Sequence, residues 1–221
     1  MHPFNIYISG VGGQGIIKTS IIIGESAMKQ GLPVVMSEIH GMSQRGGEVS
    51  TQLKIGSSYS PLIEEKSTNL LLAFEPLEAL RALPMINQES YVVMNTSPIY
   101  PYNLKKSKYN YPDPKIIIKD LENHAKKVII LDAEKIAKEA GHILSLNMVM
   151  LGALLDKLPI LSLPAIKESL GAHLPERHKK LLPSNLAALD QGAAFSRGEL
   201  KIDNQVITAQ ESTETVAPTS V

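Results

Sequence analysis

Six residues near the N-terminus, Gly10-Val11-Gly12-Gly13-Gln14-Gly15, constrain the fold more than anything else in the chain. They separate a short apolar run, residues 4–9 (Phe-Asn-Ile-Tyr-Ile-Ser), from residues 16–30, where Ile16, Ile17, Ile21, Ile23, Ala27 and Met28 supply the apolar positions of a helix and Gly31 a place for it to end. Residues 33–38 (Pro-Val-Val-Met-Ser-Glu) then read as a second strand. A strand, a glycine turn, a helix and a strand in that order open a parallel sheet.

The rest of the chain continues the alternation. A polar, Gly-rich loop covers 40–47, and residues 48–55 alternate as a strand with one wet face. Residues 69–74 and 91–95 are further strands, with a short helix beginning at Glu75-Pro76 and running to about Leu83. Residues 127–131 form a late core strand, followed by a helix from Asp132 to about Ala140. From Leu146 onward the pattern is helical, cut into short helices by Pro159, Pro164, Pro175 and Pro183. The expected fold class is α/β: a three-layer α/β/α open, mostly parallel, Rossmann-like sheet with a helical C-terminal part. Residues 1–204 make one domain, and the Thr-, Ser-, Glu- and Gln-rich residues 205–221 are expected to be a disordered tail. Residues 96–115 break the pattern with Pro98, Pro101, Pro112 and Pro114 and with Tyr100, Tyr102, Tyr109 and Tyr111. Such a segment is either an irregular surface excursion or a partner-facing loop, since tyrosine favours interfaces.

The glycine segment fits G-x-G-x-x-G. In that arrangement the glycines allow a tight turn, and the free amides and positive dipole end of the following helix favour an anion. Gly10, Gly12, Gly13, Gln14 and Gly15 are therefore candidate cofactor-binding residues. Glu38 falls where a dinucleotide-binding domain places its ribose-binding acid. The structural alternative is a turn that only packs a helix closely on a sheet. A phosphate-binding P-loop is excluded, because Lys18-Thr19 comes two residues too late for that motif counted from Gly10. A second cluster, Ser37 to Gly47, follows the second strand and adds Glu38, His40, Gln44, Arg45, Gly46 and Gly47 to the candidates. Arg45 suits a phosphate or a carboxylate. His40 is a candidate acid or base, and the bland alternative is a Glu–Arg pair that orders the loop. No residue stands out as a catalytic nucleophile.

Composition excludes more than it suggests. There are no cysteines, so the chain supplies no disulfide, thiolate zinc site, Cys-ligated iron–sulfur cluster or thiol nucleophile. Lys+Arg and Asp+Glu balance at 22 each, without the basic surplus of a nucleic-acid binder. No metal site is expected of the six histidines, which show no ligand spacing, and His173 and His178 read as solvated. There is no apolar stretch of about 20 residues to span a membrane and no signal-peptide pattern, which predicts a cytoplasmic location.

The glycine turn together with Ser37-Glu-Ile-His-Gly-Met-Ser-Gln-Arg-Gly-Gly47 closely resembles the beta subunit of indolepyruvate ferredoxin oxidoreductases, the gamma-type domain of the 2-oxoacid:ferredoxin oxidoreductase superfamily. The glycine turn is shared by the gamma group, while the second run points to the indolepyruvate branch. Ser60-Pro-Leu-Ile63, Phe74-Glu-Pro-Leu-Glu-Ala79, Asn147-Met-Val-Met-Leu-Gly-Ala153 and the stretch from Asn185 to Gly192 match as well, so the likeness covers about residues 4–198. The resemblance implies a complex that oxidatively decarboxylates arylpyruvates to aryl-acetyl-CoA and passes electrons to ferredoxin. Thiamine diphosphate and the iron–sulfur clusters would then belong to a large alpha subunit, with no cofactor bound by this chain alone. Coenzyme A would be contacted through the glycine turn and the 38–47 loop. Two other readings stay open: a gamma-type subunit of another 2-oxoacid branch, and a free-standing dinucleotide-binding protein. A scaffold with a purely structural glycine turn is the non-enzymatic alternative.

Overall fold

A computed structural model describes residues 3–41, 46–56, 58–100, 110–174 and 176–200. The expected disordered tail at 205–221 lies outside them, as do Gln44, Arg45, Tyr102 and Tyr109. Six strands, β1 (Phe4–Val11), β2 (Val34–His40), β3 (Glu48–Ile55), β4 (Leu70–Ala73), β5 (Tyr91–Asn95) and β6 (Lys127–Leu131), form one sheet in the order β2-β3-β1-β4-β5-β6. The pairs β1–β4, β4–β5 and β5–β6 are parallel, as expected of an α/β sheet.

The other end of the sheet differs from the simple reading of strand, helix, strand. The helix α1 (Ile16–Lys29) does carry the chain from β1 to β2, yet β2 is not the neighbour of β1. β3 lies between them and runs antiparallel to both. The reason is the connection: residues 41–47 are too few for a parallel crossover, so the chain returns antiparallel alongside β2 and fills the place next to β1. The expected wet face of β3 is also absent. Ser50 and Gln52 point away from α1 but are 1% and 6% exposed, and the Gln52 Oε1 accepts the amide of Ile63 from a segment crossing that face.

Alternation along the central strands separates two cores. Leu70, Leu72, Val93, Ile129 and Leu131 face one side; Leu71, Ala73, Val92 and Met94 face the other. The second side is covered by α2 (Pro76–Arg81) and α3 (Pro114–His124). The sequence reading left α3 unassigned, although its start is written in Asp113-Pro114: the Asp113 side chain accepts the Lys115 amide, and Pro114 occupies the first turn. The first side carries α1, α4 (Ala133–Glu139), α5 (Leu146–Leu155), α6 (Leu163–His173) and α7 (Leu182–Ser196). Pro164 and Pro183 lie in the first turns of α6 and α7, where a missing N–H costs nothing.

α5 is apolar all round because it is enclosed all round: every residue from Asn147 to Leu154 is buried. It crosses α7 at two glycines. A Cβ on Gly152 would lie 2.1 Å from the carbonyl oxygen of Leu189, and one on Gly192 would lie 2.0 Å from that of Val149. This backbone-to-backbone approach fixes where the first turns of the two helices end up, and both open toward the glycine turn. His173, read as solvated, is half-buried at the end of α6, with Nδ1 3.1 Å from the Glu25 carboxylate of α1.

Candidate functional site

β1 ends in the glycine turn, and each residue there has a separate task. Gly10 has no room for a side chain: its Cβ would lie 2.7 Å from Gln14 Oε1 and 2.8 Å from Phe74 Cβ. Gln14 is a strut. Its Oε1 accepts the Val11 amide at 2.7 Å, and its Nε2 donates to the Phe74 carbonyl at 2.9 Å, tying the turn to the end of β4. Gly15 precedes α1 in the left-handed region (φ 84°), and a Cβ there would also meet Asn147 Nδ2 at 2.9 Å. Gly13 is likewise left-handed (φ 109°) but has open space around it.

α1 has no side-chain cap and no acidic residue in its first turn. Its first backbone bond runs from Thr19 to Gly15, and the Thr19 hydroxyl donates to the same carbonyl. The amides of Gly13, Gly15, Ile16, Ile17 and Lys18 donate to no acceptor among the described residues. These unpaired donors, at the positive end of a helix, form a site for an anion. Lys18 adds a full positive charge and makes no ion pair among the described residues.

Two cavities open on this turn, sharing Gly13, Gly15 and Lys18. One, of about 460 Å³, runs toward the β2–β3 hairpin and is lined also by Gly12, Ile17, Ile21, His40 and Val49. The other, of about 240 Å³, runs toward the C-terminal helices and is lined also by Ser145, Asn147, Met148, Leu170, Leu174 and Asn185. The sequence-derived candidates therefore divide. The hairpin loop does meet the glycine turn, because the Gly12 amide donates to the Gly47 carbonyl at 2.9 Å. His40 reaches the larger cavity, whereas Glu38 lines neither one and instead lies 3.3 Å from His40 Nε2. Gly46 is exposed at the loop tip, and Gln44 and Arg45 lie outside the described residues. Sequence reasoning missed Lys18 and the pair Asn147 and Asn185. The available signal was an asparagine at the start of each of two otherwise apolar helices.

A second polar cluster lies across the strut, beyond β4. The Glu75 carboxylate is 1% exposed and accepts three bonds: from the Glu78 amide (3.0 Å), the Ile99 amide (3.1 Å) and the Tyr111 hydroxyl (2.5 Å). Tyr111 in turn accepts the Leu77 amide at 3.0 Å, and Tyr100 sits edge-on against its ring. Burial, then the contact with Glu75, pushes the Tyr111 hydroxyl well above the usual phenol range. Glu78 Oε1 accepts from Arg81 at 2.7 Å, while its buried Oε2 has no partner. Burial pushes Glu78 up to about 7; Arg81 opposes this, and Glu48 and Glu75 reinforce it.

Comparison with known proteins follows the same outline. Residues 5–195 match the family described as pyruvate ferredoxin/flavodoxin oxidoreductase. The indolepyruvate oxidoreductase subunit IorB of Methanothermobacter thermautotrophicus is 59% identical over 150 residues, covering 68% of this chain and 76% of that protein. The protein of the same name from Archaeoglobus fulgidus is 39% identical over 189 residues, covering 85% and 92%. The 2-oxoglutarate synthase subunit KorC of M. thermautotrophicus is 26% identical over 194 residues, covering 85% and 92%. Among solved structures, the keto/oxoacid ferredoxin oxidoreductase gamma subunit of Geobacter sulfurreducens superimposes with a TM-score of 0.63 at 20% identity, covering 88% of this chain and 99% of that one. The 2-oxoglutarate:ferredoxin oxidoreductase of Magnetococcus marinus, solved with 2-oxoglutarate, coenzyme A and succinyl-CoA bound, superimposes with a TM-score of 0.68 at 24% identity; the match covers 92% of this chain and 32% of that one.

Proposed function

The chain belongs to the pyruvate ferredoxin/flavodoxin oxidoreductase family, and we propose that it is the small, gamma-type subunit of an indolepyruvate:ferredoxin oxidoreductase. The observation that carries this reading is the grading of identity, 59% and 39% to proteins named indolepyruvate oxidoreductase subunits against 26% to one named for 2-oxoglutarate. In this proposal the complex converts arylpyruvate and coenzyme A to aryl-acetyl-CoA and carbon dioxide, and passes two electrons to ferredoxin.

The chemistry is divided between chains. With no cysteine, this chain supplies no thiolate to an iron–sulfur cluster. The clusters and thiamine diphosphate are assigned to a large alpha subunit, and this chain acts as an accessory to it. Its own contribution is to coenzyme A, whose thiol takes up the acyl group. The turn fits a phosphorylated ligand, because it offers five unpaired amides, a helix dipole and the Lys18 ammonium with no acid in the first turn. Charge neutralisation there holds the anionic part of the coenzyme while the thiol end reaches the partner's chemistry. The dinucleotide alternative loses its geometric basis, since β3 separates the strand of Glu38 from β1 and Glu38 lines neither cavity. No helix among the described residues is long and apolar enough to cross a membrane, and the proposal places the complex in the cytoplasm.

The test is to recover the tagged chain from its host and assay what comes with it. An iron-containing, thiamine-dependent partner and coenzyme A-dependent ferredoxin reduction with indolepyruvate are expected. Turnover of 2-oxoglutarate or pyruvate instead would assign the chain to another branch. Recovery of the chain alone with a bound dinucleotide would overturn the subunit reading. Within the complex, Lys18→Ala should raise KM for coenzyme A about tenfold while leaving KM for the arylpyruvate unchanged.

A further inference from the structure

The smaller cavity has a property that the larger one lacks. Asn147 and Asn185 are 8% and 7% exposed, yet neither side chain makes a hydrogen bond among the described residues, and both line this cavity. Ser145, 1% exposed, also lines it, and its hydroxyl is likewise without a partner. Leaving a buried amide unpaired costs on the order of 1–3 kcal/mol. Native folds avoid this, and the exceptions ask for an explanation. Here three such groups converge from two helices on the turn that carries the unpaired amides of α1.

The placement follows from the fold. The Gly152–Gly192 crossing brings the starts of α5 and α7 together, and Gly15, having no Cβ, lets Asn147 Nδ2 come up against the turn. The lining contains one cation, Lys18, and no carboxylate. Donors dominate: backbone amides, two side-chain amides, a hydroxyl and an ammonium. The remaining wall is Leu144, Met148, Leu170, Leu174 and Leu181, which excludes water and strengthens every polar contact inside. A volume of about 240 Å³ is too small for a nucleotide and ample for one phosphate group.

We propose that this cavity is a phosphate-binding pocket in which Asn147, Asn185 and Ser145 hydrogen-bond a phosphate group of coenzyme A that is charge-neutralised by Lys18 and the N-terminus of α1. The identity of the ligand rests on the coenzyme A reading above; the anionic character rests on the cavity alone. The bulk of the coenzyme then lies along the larger cavity on the other side of the turn, so that the glycines separate a phosphate pocket from an apolar groove.

The experiment uses the assembled complex, with coenzyme A and 3′-dephospho-coenzyme A as alternative substrates, and compares Asn185→Ala and Asn147→Ala with Lys18→Ala. Asn185→Asp serves as a near-isosteric variant that sets a negative charge facing the phosphate, and thermal unfolding of each variant checks the fold. The pocket predicts a rise in KM for coenzyme A of about tenfold for each alanine variant, more for Asn185→Asp, with kcat retained. A rise confined to coenzyme A identifies the 3′-phosphate as the occupant, and an equal rise with the dephospho form identifies the diphosphate. If Lys18→Ala raises KM and the asparagine variants do not, the pocket is refuted and the coenzyme A reading survives. If none of them changes KM, both fall.

Discussion

Two buried polar clusters lie at the same edge of the sheet, one after β1 and one after β4, joined by the Gln14 strut. Beyond β4, the Glu75 carboxylate accepts three bonds from its own chain and is full. At the glycine turn the opposite holds: five amides, two asparagine side chains and a serine hydroxyl have no protein partner among the described residues. Polar groups satisfied from within contribute to the fold, whereas groups held buried and unpaired cost the fold and are explained by what they bind. By this criterion the cluster of residues richest in charge is structural, and the one that looks emptier is functional.

The largest effect expected from this contrast is on the full cluster. Glu75→Ala strands the Tyr111 hydroxyl and two backbone amides, and should lower the unfolding free energy by about 4 kcal/mol in denaturant titration. A loss below about 1 kcal/mol would place Glu75 on the functional side of the comparison.

A smaller effect depends on pH. Because Glu78 is raised from about 4.5 to about 7 in the fold, its protonated form is the one the fold favours. That contribution is complete below about pH 4.5 and is lost as pH rises through 7. Glu78→Gln, uncharged throughout, should therefore flatten the stability profile across this window, removing a decline of up to about 3 kcal/mol. An unchanged profile in the variant would show that Glu78 titrates as an ordinary surface acid.

The smallest effect is expected at the turn. Asn185→Ala breaks no hydrogen bond of the chain, so its unfolding free energy should change by less than about 1 kcal/mol even as coenzyme binding weakens. A stability loss as large as that of Glu75→Ala would erase the distinction between the clusters.

Much of this was legible in the amino acids themselves. Local signals carried the elements: the glycine turn between an apolar run and a helical period, the short strands at 91–95 and 127–131, and the prolines that open α6 and α7. The zero count of cysteine decided what chemistry the chain lacks. The motif pair at 10–15 and 37–47 pointed to the family, and the Gly12–Gly47 bond shows the two motifs in contact. These are properties of short segments, where backbone sterics and side-chain periodicity suffice.

What only the tertiary structure decided is which segments meet. The insertion of β3 between β1 and β2 depends on strand pairing, which sequence spacing does not encode, and it moves Glu38 away from the role its position suggested. Gln14 reads as part of a ligand-binding motif and proves to be a strut. Asn147 and Asn185 lie far from the turn along the chain and join it only because two glycines let α5 and α7 touch backbone to backbone. An unpaired buried amide cannot be recognised from sequence, because satisfaction of a hydrogen bond is a property of the neighbours that folding brings, not of the residue that needs them.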